Sequence, residues 1–210
     1  QHCRRIDKII VATTDLSEDD KIVKLFESLD VPIFRGSPDD PLDRYYRAAL
    51  HFEADHVVRI MADCPFIDPE IVDEVIDLYF KDSCDFCCLA GEFPTGLDTT
   101  IFSMKTLEKV WRKATKQSER EHISPFITNN PKLFKIGYHE GIKGLYHHRW
   151  VMDHPEDYQF VKAVYDGVYR TKVLFNWKDI VYFLKSRPDI MKLNQGIPRD
   201  EGYRKALKSD

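Results

Sequence analysis

The sequence predicts a single α/β domain whose sheet is mainly parallel and is covered by helices on both faces. Apolar, β-branched runs alternate with amphipathic segments through the first ninety or so residues, which is typical of βαβ units. The length of 210 residues suits one domain with a substantial core. The chain shows no internal repeat and no low-complexity linker, so residues 1–210 are predicted to form one unit.

The elements follow from periodicity and from turn and cap residues. Proline opens two predicted helices, at Pro69 and Pro155, and Asp68 precedes the first of them as a cap. Strands are predicted at residues 8–14, 31–34, 56–61, 85–89, 97–102 and 133–138. Helices are predicted at residues 17–29, 42–52, 69–80, 104–114, 121–128, 155–165 and 177–185. Residues 1–5 are predicted to end a helix, and the polar tail from Pro188 is predicted to wrap the surface.

Composition excludes several classes of protein. The formal net charge is −4 and basic residues are scattered, so no nucleic-acid partner is expected. No apolar run is long enough for a membrane span, and the start does not resemble a secretory leader. Five cysteines, an odd number, argue against a disulfide framework and for the reducing cytoplasm. The cluster at residues 84–88 lacks a second ligand pair for zinc.

Common catalytic motifs are absent. The chain has no dinucleotide-binding glycine fingerprint, no P-loop, no nucleophile elbow and no zinc-protease helix motif. His147 and His148 are adjacent, and on a predicted strand they would point apart, which disfavours a metal pair.

Two acidic residues remain as candidates for a site. Asp63 and Asp153 each follow an apolar run and precede a turn and a proline-led helix. Magnesium commonly takes one or two protein carboxylates and completes its shell with phosphate oxygens and water. Two such acids at one sheet edge would suit it, but spacing alone does not show that they converge. Helix-entry acids, which the helix dipole favours, are an equally common explanation.

Seven blocks, in order along nearly the whole chain, resemble one known family. Two of them are Arg-Ile-Met-Ala-Asp-Cys-Pro-Phe-Ile-Asp-Pro at residues 59–69 and Arg-Trp-Val-Met-Asp-His-Pro-Glu-Asp at residues 149–157. The others lie at residues 6–14, 34–45, 96–103, 118–126 and 194–206. On these blocks the chain resembles the SpsF-like spore-coat polysaccharide cytidylyltransferases, relatives of the CMP-sialate and CMP-Kdo synthetases.

The resemblance implies a Rossmann-like nucleotidyltransferase fold and transfer of CMP from CTP to a sugar, acidic sugars included, with release of pyrophosphate. It implies that Asp63 and Asp153 bind Mg²⁺. The expected cytoplasmic location and the absence of a membrane partner rest on the cysteines and on the lack of a long apolar run. Related enzymes are commonly dimers, so the resemblance also implies a homodimer. The residues implied near the cytidine are Arg35, Gly36, Ser37 and Arg44. The residues implied on the sugar side are Asp98, Arg120, Glu121 and His122.

The sequence also departs from the family pattern. The family opens with a central strand and a glycine- and arginine-bearing phosphate loop, and nothing similar is present, so the domain is expected to be N-terminally incomplete. At the N-terminal side of the sheet we expect a gap, a substituted strand or pairing with a partner. Thr95 and Thr100 stand where the family usually has acids. A non-catalytic paralogue that binds sugar or nucleotide, or acts in assembly, is therefore an alternative. A nucleotide-sugar glycosyltransferase is a more distant one, because Ala62-Asp63-Cys64 is not an Asp-x-Asp motif.

Overall fold

The strands form two separate hydrogen-bonded sheets. The computed structural model describes residues 2–170 and 172–210. In the first sheet, β1 (Val11–Thr14) pairs in parallel with β2 (Ile33–Gly36). The second sheet contains four strands in the order β3-β5-β4-β6. These strands are β3 (His56–Arg59), β4 (Phe86–Leu89), β5 (Thr100–Ser103) and β6 (Ile136–His139).

The four-stranded sheet is mixed, because β5 runs against its neighbours. β5 pairs antiparallel with both β3 and β4, whereas β4 and β6 are parallel. Residues 90–99 connect β4 to β5 without a helix, and a parallel connection would need a longer crossover. The predicted parallel direction therefore applies to β3, β4 and β6 but not to β5.

The predicted gap in the sheet is present. Among the described residues, no hydrogen bond joins the β1-β2 pair to β3. Helix α1 (Asp20–Ser28) buries none of its residues, and Leu25 and Leu29 are more than half exposed. Helix α2 (Pro41–His51) packs against β2 and also buries Leu42 in the core beside the larger sheet, so it connects the two sheets.

Helices cover both faces of the four-stranded sheet, as the sequence predicts. Side chains alternate along each strand: Val58 packs with one core cluster and Val57 with the other. The first cluster is built on α3 (Pro69–Lys81), α7 (Pro155–Val168) and α8 (Trp177–Ser186). The second is built on α2, α4 (Met104–Lys113) and α6 (Ser124–Thr128).

Asp68 fixes the start of α3. Its carboxylate accepts the backbone N–H of Glu70 at 2.9 Å, and Pro69 occupies the first turn, where no N–H is needed. The same carboxylate accepts the backbone N–H of Trp177 at 2.9 Å. One buried cap therefore sets both the beginning of α3 and the position of α8.

Three predicted elements differ in the structure. The predicted helix 121–128 is two helices, α5 (Gln117–His122) and α6, because Ile123 between them has a φ of +63°. The tail contains α9 (Pro188–Met191) and α10 (Glu201–Ala206), and it buries Ile190 and Asn194. Residues 2–5 are not helical, and Gln1 lies outside the described residues.

His147 and His148 lie in a turn rather than on a strand. Their ring centroids are 4.5 Å apart, so the rings do not point apart as predicted. Burial lowers the pKa of His148 to about 4, and the neighbouring His147 acts in the same direction. Within residues 2–170 and 172–210, no helix is long and apolar enough to cross a membrane.

Candidate functional site

The first candidate residue, Asp63, lies in the turn that follows β3. The backbone N–H of Cys64 donates to the carbonyl of Met61 at 3.2 Å, and that of Ile67 donates to the carbonyl of Cys64 at 3.3 Å. The thiol of Cys64 lies 3.4 Å from a carboxylate oxygen of Asp63. These contacts hold the half-buried carboxylate beyond the carboxyl end of β3, the edge at which open α/β sheets bind ligands.

The second candidate, Asp153, lies on a loop that is fixed by the segment before β5. The backbone N–H of Trp150 donates to the carbonyl of Thr95 at 3.0 Å, and the N–H of Thr95 donates to the carbonyl of His148 at 3.2 Å. Gly96 makes this approach possible, because a Cβ on it would lie 2.3 Å from the carbonyl oxygen of Trp150. The 149–153 loop is therefore held against the segment that leads into β5.

The two acids meet. The backbone N–H of Met152 donates to the carbonyl of Asp63 at 2.9 Å, and the charge of Asp153 acts on the carboxyl group of Asp63, so the two acids are neighbours. Burial raises the pKa of Asp63, and the negative charge of Asp153 raises it further. Neither acid caps a helix: Asp68 caps α3, and His154 is the residue that precedes α7. Neither acid is therefore needed as a cap for the helix that follows it.

Arg149 positions Asp153 through a network that sequence reasoning missed. Its guanidinium donates to Asp153 at 2.9 Å and forms two bonds with Asp157, at 2.9 and 2.8 Å. Asn194, from the tail, donates to Asp157 at 2.8 Å and to the carbonyl of Arg149 at 3.0 Å. The spacing of Arg149, Asp153 and Asp157 by four residues was the available signal, whereas nothing local pointed to Asn194.

Asp157 is fully buried yet remains suited to the ionised form. Burial alone would raise the pKa of Asp157, but the bonds from Arg149 and Asn194 outweigh it and hold the pKa below its usual range. Its carboxylate also accepts the backbone N–H groups of Asp153 and His154 at 3.1 Å each. The site thus rests on one satisfied, buried ion pair.

Asp98, implied on the sugar side, lies on the same edge of the sheet. It is exposed, and its carboxylate accepts the backbone N–H of Gly96 at 3.0 Å. Its charge acts on the thiols of Cys64 and Cys88, and together with burial it raises the pKa of Cys88 to about 12. Asp98 and Asp63 therefore flank the same cysteine.

Three of the four residues implied near the cytidine, Gly36, Ser37 and Arg44, lie together at the end of β2. Gly36 leaves room for Arg44, whose Cγ would lie 3.1 Å from a Cβ at this position, and Arg44 donates to the carbonyl of Ser37 at 2.8 Å. Arg35 faces away from this group. It bonds the carbonyls of Thr14 and Leu16 and the carboxylate of Asp20, which fixes the turn before α1.

Arg120, Glu121 and His122 lie on α5, but Arg120 is used within the fold. It makes two bonds to Asp40, at 2.9 and 2.6 Å, and also bonds the carbonyls of Trp111 and Ala114. Because Asp40 caps α2, Arg120 connects α5 to the start of that helix. A contact of Arg120 with substrate stays a prediction.

The pair Asp63 and Asp153 has the chemistry that magnesium requires. Both offer carboxylate oxygens, and their mutual repulsion would be relieved by a divalent cation. The described residues include no group of three or more histidine, cysteine or acidic side chains arranged for a metal. Two carboxylates would suit a magnesium ion whose shell is completed by substrate phosphate and water.

Comparison with known proteins agrees with this fold. The family model described as cytidylyltransferase matches residues 1–180. An uncharacterized protein of Methanocaldococcus jannaschii is 34% identical over 203 residues, which are 96% of this chain and 82% of that protein. The spore coat polysaccharide biosynthesis protein SpsF of Bacillus subtilis is 27% identical over 76% of this chain and 67% of its own length.

A solved structure shows the same architecture. A cytidylyltransferase from Leptospira borgpetersenii superposes with a TM-score of 0.83 and is 31% identical, covering 90% of this chain and 80% of that one. The resemblance predicted from the seven sequence blocks is confirmed, as is the nucleotidyltransferase-like α/β fold. The chain belongs to the cytidylyltransferase family.

Proposed function

We propose that the chain transfers CMP from CTP to a sugar, with release of pyrophosphate, in the synthesis of a surface-polysaccharide precursor. Membership of the cytidylyltransferase family supports the nucleotide, and the likeness to SpsF supports the sugar acceptor. The observation that carries the proposal is the approach of Asp63 and Asp153 at the carboxyl edge of the sheet. In this reaction a sugar hydroxyl oxygen bonds to the α-phosphorus, and the bond from that phosphorus to the departing pyrophosphate breaks.

Asp63 and Asp153 would hold a magnesium ion. When bound, the ion would neutralise charge on the phosphate oxygens as pyrophosphate leaves. Arg149 holds the carboxylate of Asp153 in place through its 2.9 Å bond. Asp63 is held by its backbone bond to Met152. Pre-positioned carboxylates of this kind contribute to catalysis because they need no rearrangement during the reaction.

The flanking residues divide the site into two sides. Gly36, Ser37 and Arg44 are proposed to contact the cytidine, which the close packing of Arg44 over Gly36 supports. Asp98 and His122 are proposed to face the sugar.

A cytoplasmic location and a homodimeric assembly remain part of the proposal, and the five free cysteines support a reducing compartment.

The test is release of pyrophosphate from each of the four nucleoside triphosphates, with Mg²⁺ and a panel of neutral and acidic sugars. We expect turnover with CTP that depends on the sugar and is abolished by EDTA. Asp63→Ala and Asp153→Ala should each remove it, while the exposed Asp166→Ala serves as a matched control on α7. Equal turnover with all four nucleotides would contradict the cytidine assignment. Turnover that survives both alanine substitutions would contradict the metal assignment.

A further inference from the structure

Arg59 is a partly buried arginine to which the fold gives no anionic partner. It is the last residue of β3, four residues before Asp63. Its guanidinium lies over the ring of Tyr45, 5.6 Å from the centroid. The Nε atom is buried and has no hydrogen-bond partner, and within residues 2–170 and 172–210 no carboxylate forms an ion pair with it. An arginine in this state is costly unless something else binds it.

Thr100 lies directly across the sheet from Arg59. The two residues are partners in the antiparallel register of β3 and β5, so their side chains are on the same face with Cβ atoms about 5 Å apart. The hydroxyl oxygen of Thr100 is also buried without a hydrogen-bond partner. Arg59 and Thr100 therefore place two unsatisfied polar groups side by side.

His122 adds a third group of the same kind. Its Nε2 atom is buried without a hydrogen-bond partner, and a carboxylate oxygen of Glu121 lies 3.6 Å from it, beyond hydrogen-bond distance. Burial lowers the pKa of His122, and the nearby charge of Arg59 acts in the same direction. We call these three residues the Arg59 cluster. Buried unpaired polar atoms are uncommon in native proteins, and the two that lie side by side at Arg59 and Thr100 indicate that a ligand supplies their partners.

The ligand must carry an anionic oxygen group. Arginine offers only donors, arranged in a planar fork that matches a carboxylate or a phosphate, and the threonine hydroxyl can add a further donor. Asp98 lies close enough to influence Cys64, as does Arg59, yet Asp98 forms no ion pair with the arginine. The guanidinium is therefore left available on the side of the site next to the two proposed metal ligands.

We propose that the Arg59 cluster binds an anionic oxygen group of a substrate, either a phosphate of the nucleotide or a carboxylate of the sugar. Thr100 determines this specificity, because an acid at that position would pair with Arg59 across the two strands and occupy it. The proposal rests on the proposed function for the identity of the substrates. The binding of the anion itself does not depend on turnover.

The experiment measures binding by calorimetry in the presence of Mg²⁺, with CTP, with pyrophosphate and with two carboxylate sugars, N-acetylneuraminate and glucuronate. Arg59→Gln should weaken at least one of these ligands roughly tenfold to a hundredfold, as expected for a lost charge-assisted bond. A loss for CTP and pyrophosphate identifies the nucleotide phosphate as the source, and a loss for a sugar alone identifies the carboxylate. Arg112→Gln, at an exposed arginine paired with Glu108, is the matched control and should bind as the wild type does.

Two further variants distinguish a lost ligand contact from a disturbed fold in Arg59→Gln. Thr100→Asp should weaken the same ligand to a similar extent, because it provides Arg59 with an internal partner, and Thr100→Val should weaken it less. Unchanged binding in both Arg59→Gln and Thr100→Asp would overturn the proposal, as would a wild type that binds none of the four ligands. Arg59-dependent binding without pyrophosphate release would remove the proposed function and leave this inference standing.

Discussion

The backbone N–H of Met152 donates to the backbone carbonyl of Asp63 at 2.9 Å, so the two acid-bearing loops are joined through the main chain. Because this bond uses no side-chain atom, substituting either carboxylate does not remove it. The two acids can therefore be tested as ligands without separating the loops that carry them.

Magnesium should stabilise the wild-type protein and not the Asp63→Asn variant. A ligand at a hundred times its dissociation constant adds about 2.7 kcal/mol to the free energy of unfolding. Losing one of two carboxylates should remove most of that gain. The measurement is the thermal midpoint with and without Mg²⁺.

Asp166→Asn is the control for this experiment, because Asp166 is an exposed acid paired with Lys162 on α7. It should keep the full response to magnesium. An equal response in Asp63→Asn would show that the cation binds elsewhere.

Asp157→Asn should destabilise the fold by about 3–5 kcal/mol, as expected when one partner of a buried ion pair is removed. An asparagine amide keeps one acceptor oxygen but carries no charge, so the guanidinium of Arg149 would stay buried without its ion pair to Asp157. Urea denaturation measures the change. Asp189→Asn breaks an exposed pair with Arg187 and should leave the midpoint unaltered. A similar midpoint in the two variants would mean that the buried pair contributes nothing to stability.

The stabilising effect of Asp157 should also depend on pH. Its pKa is lower in the folded protein than in the unfolded chain, where a free aspartate has a pKa of about 3.9. The contribution is thus fully present above that value and is lost as pH falls through the folded pKa. The difference in unfolding free energy between wild type and Asp157→Asn should be constant from pH 5 to pH 7 and shrink below about pH 4. A difference that grew in acid would contradict the assignment.

Gly96→Ala should be much more damaging than Gly144→Ala. Both glycines have positive φ, +94° and +79°, so both substitutions incur backbone strain of about 1–2 kcal/mol. Only Gly96 faces another chain segment, the carbonyl of Trp150, and a methyl group there should add about 1–3 kcal/mol and separate Thr95 from the 149–153 loop. Denaturation and magnesium response measured together should show both losses in Gly96→Ala. Equal stability of the two variants would rule out the clash.

Much of the fold was predictable because its signals are local. The proline and aspartate at the start of α3 and the apolar runs of β3 and β4 act within a few residues, and these elements occur within a few residues of their predicted positions. The direction of β5 was not predictable from composition, since it depends on a connection that lacks a crossover helix. The short helices of the tail were missed because α9 spans only four residues, too few for a periodic pattern to show.

The site was predictable only in part, for a similar reason. The motif around Asp63 and Asp153 identified both acids, but their approach depends on contacts between residues ninety positions apart in the chain. Arg149 and Asn194 were missed because a buried network is a property of the packed structure. For Arg120 the sequence block at residues 118–126 was noticed, but its bond to Asp40 could not be predicted, because the two residues are eighty positions apart.

The separation of the two sheets has a consequence for how the protein opens. Among the residues that the structure describes, no backbone hydrogen bond joins the β1-β2 pair to the larger sheet, and α1 buries no residue. This region therefore has few interactions to lose when it unfolds locally. Amide protons of Ala12 and Phe34 should therefore exchange with solvent well before those of Cys87 and Ile101, which hydrogen–deuterium exchange would measure. The protein would then unfold as two cooperative units with different free energies of unfolding. The acid pair would belong to the more stable unit and Gly36 to the less stable one.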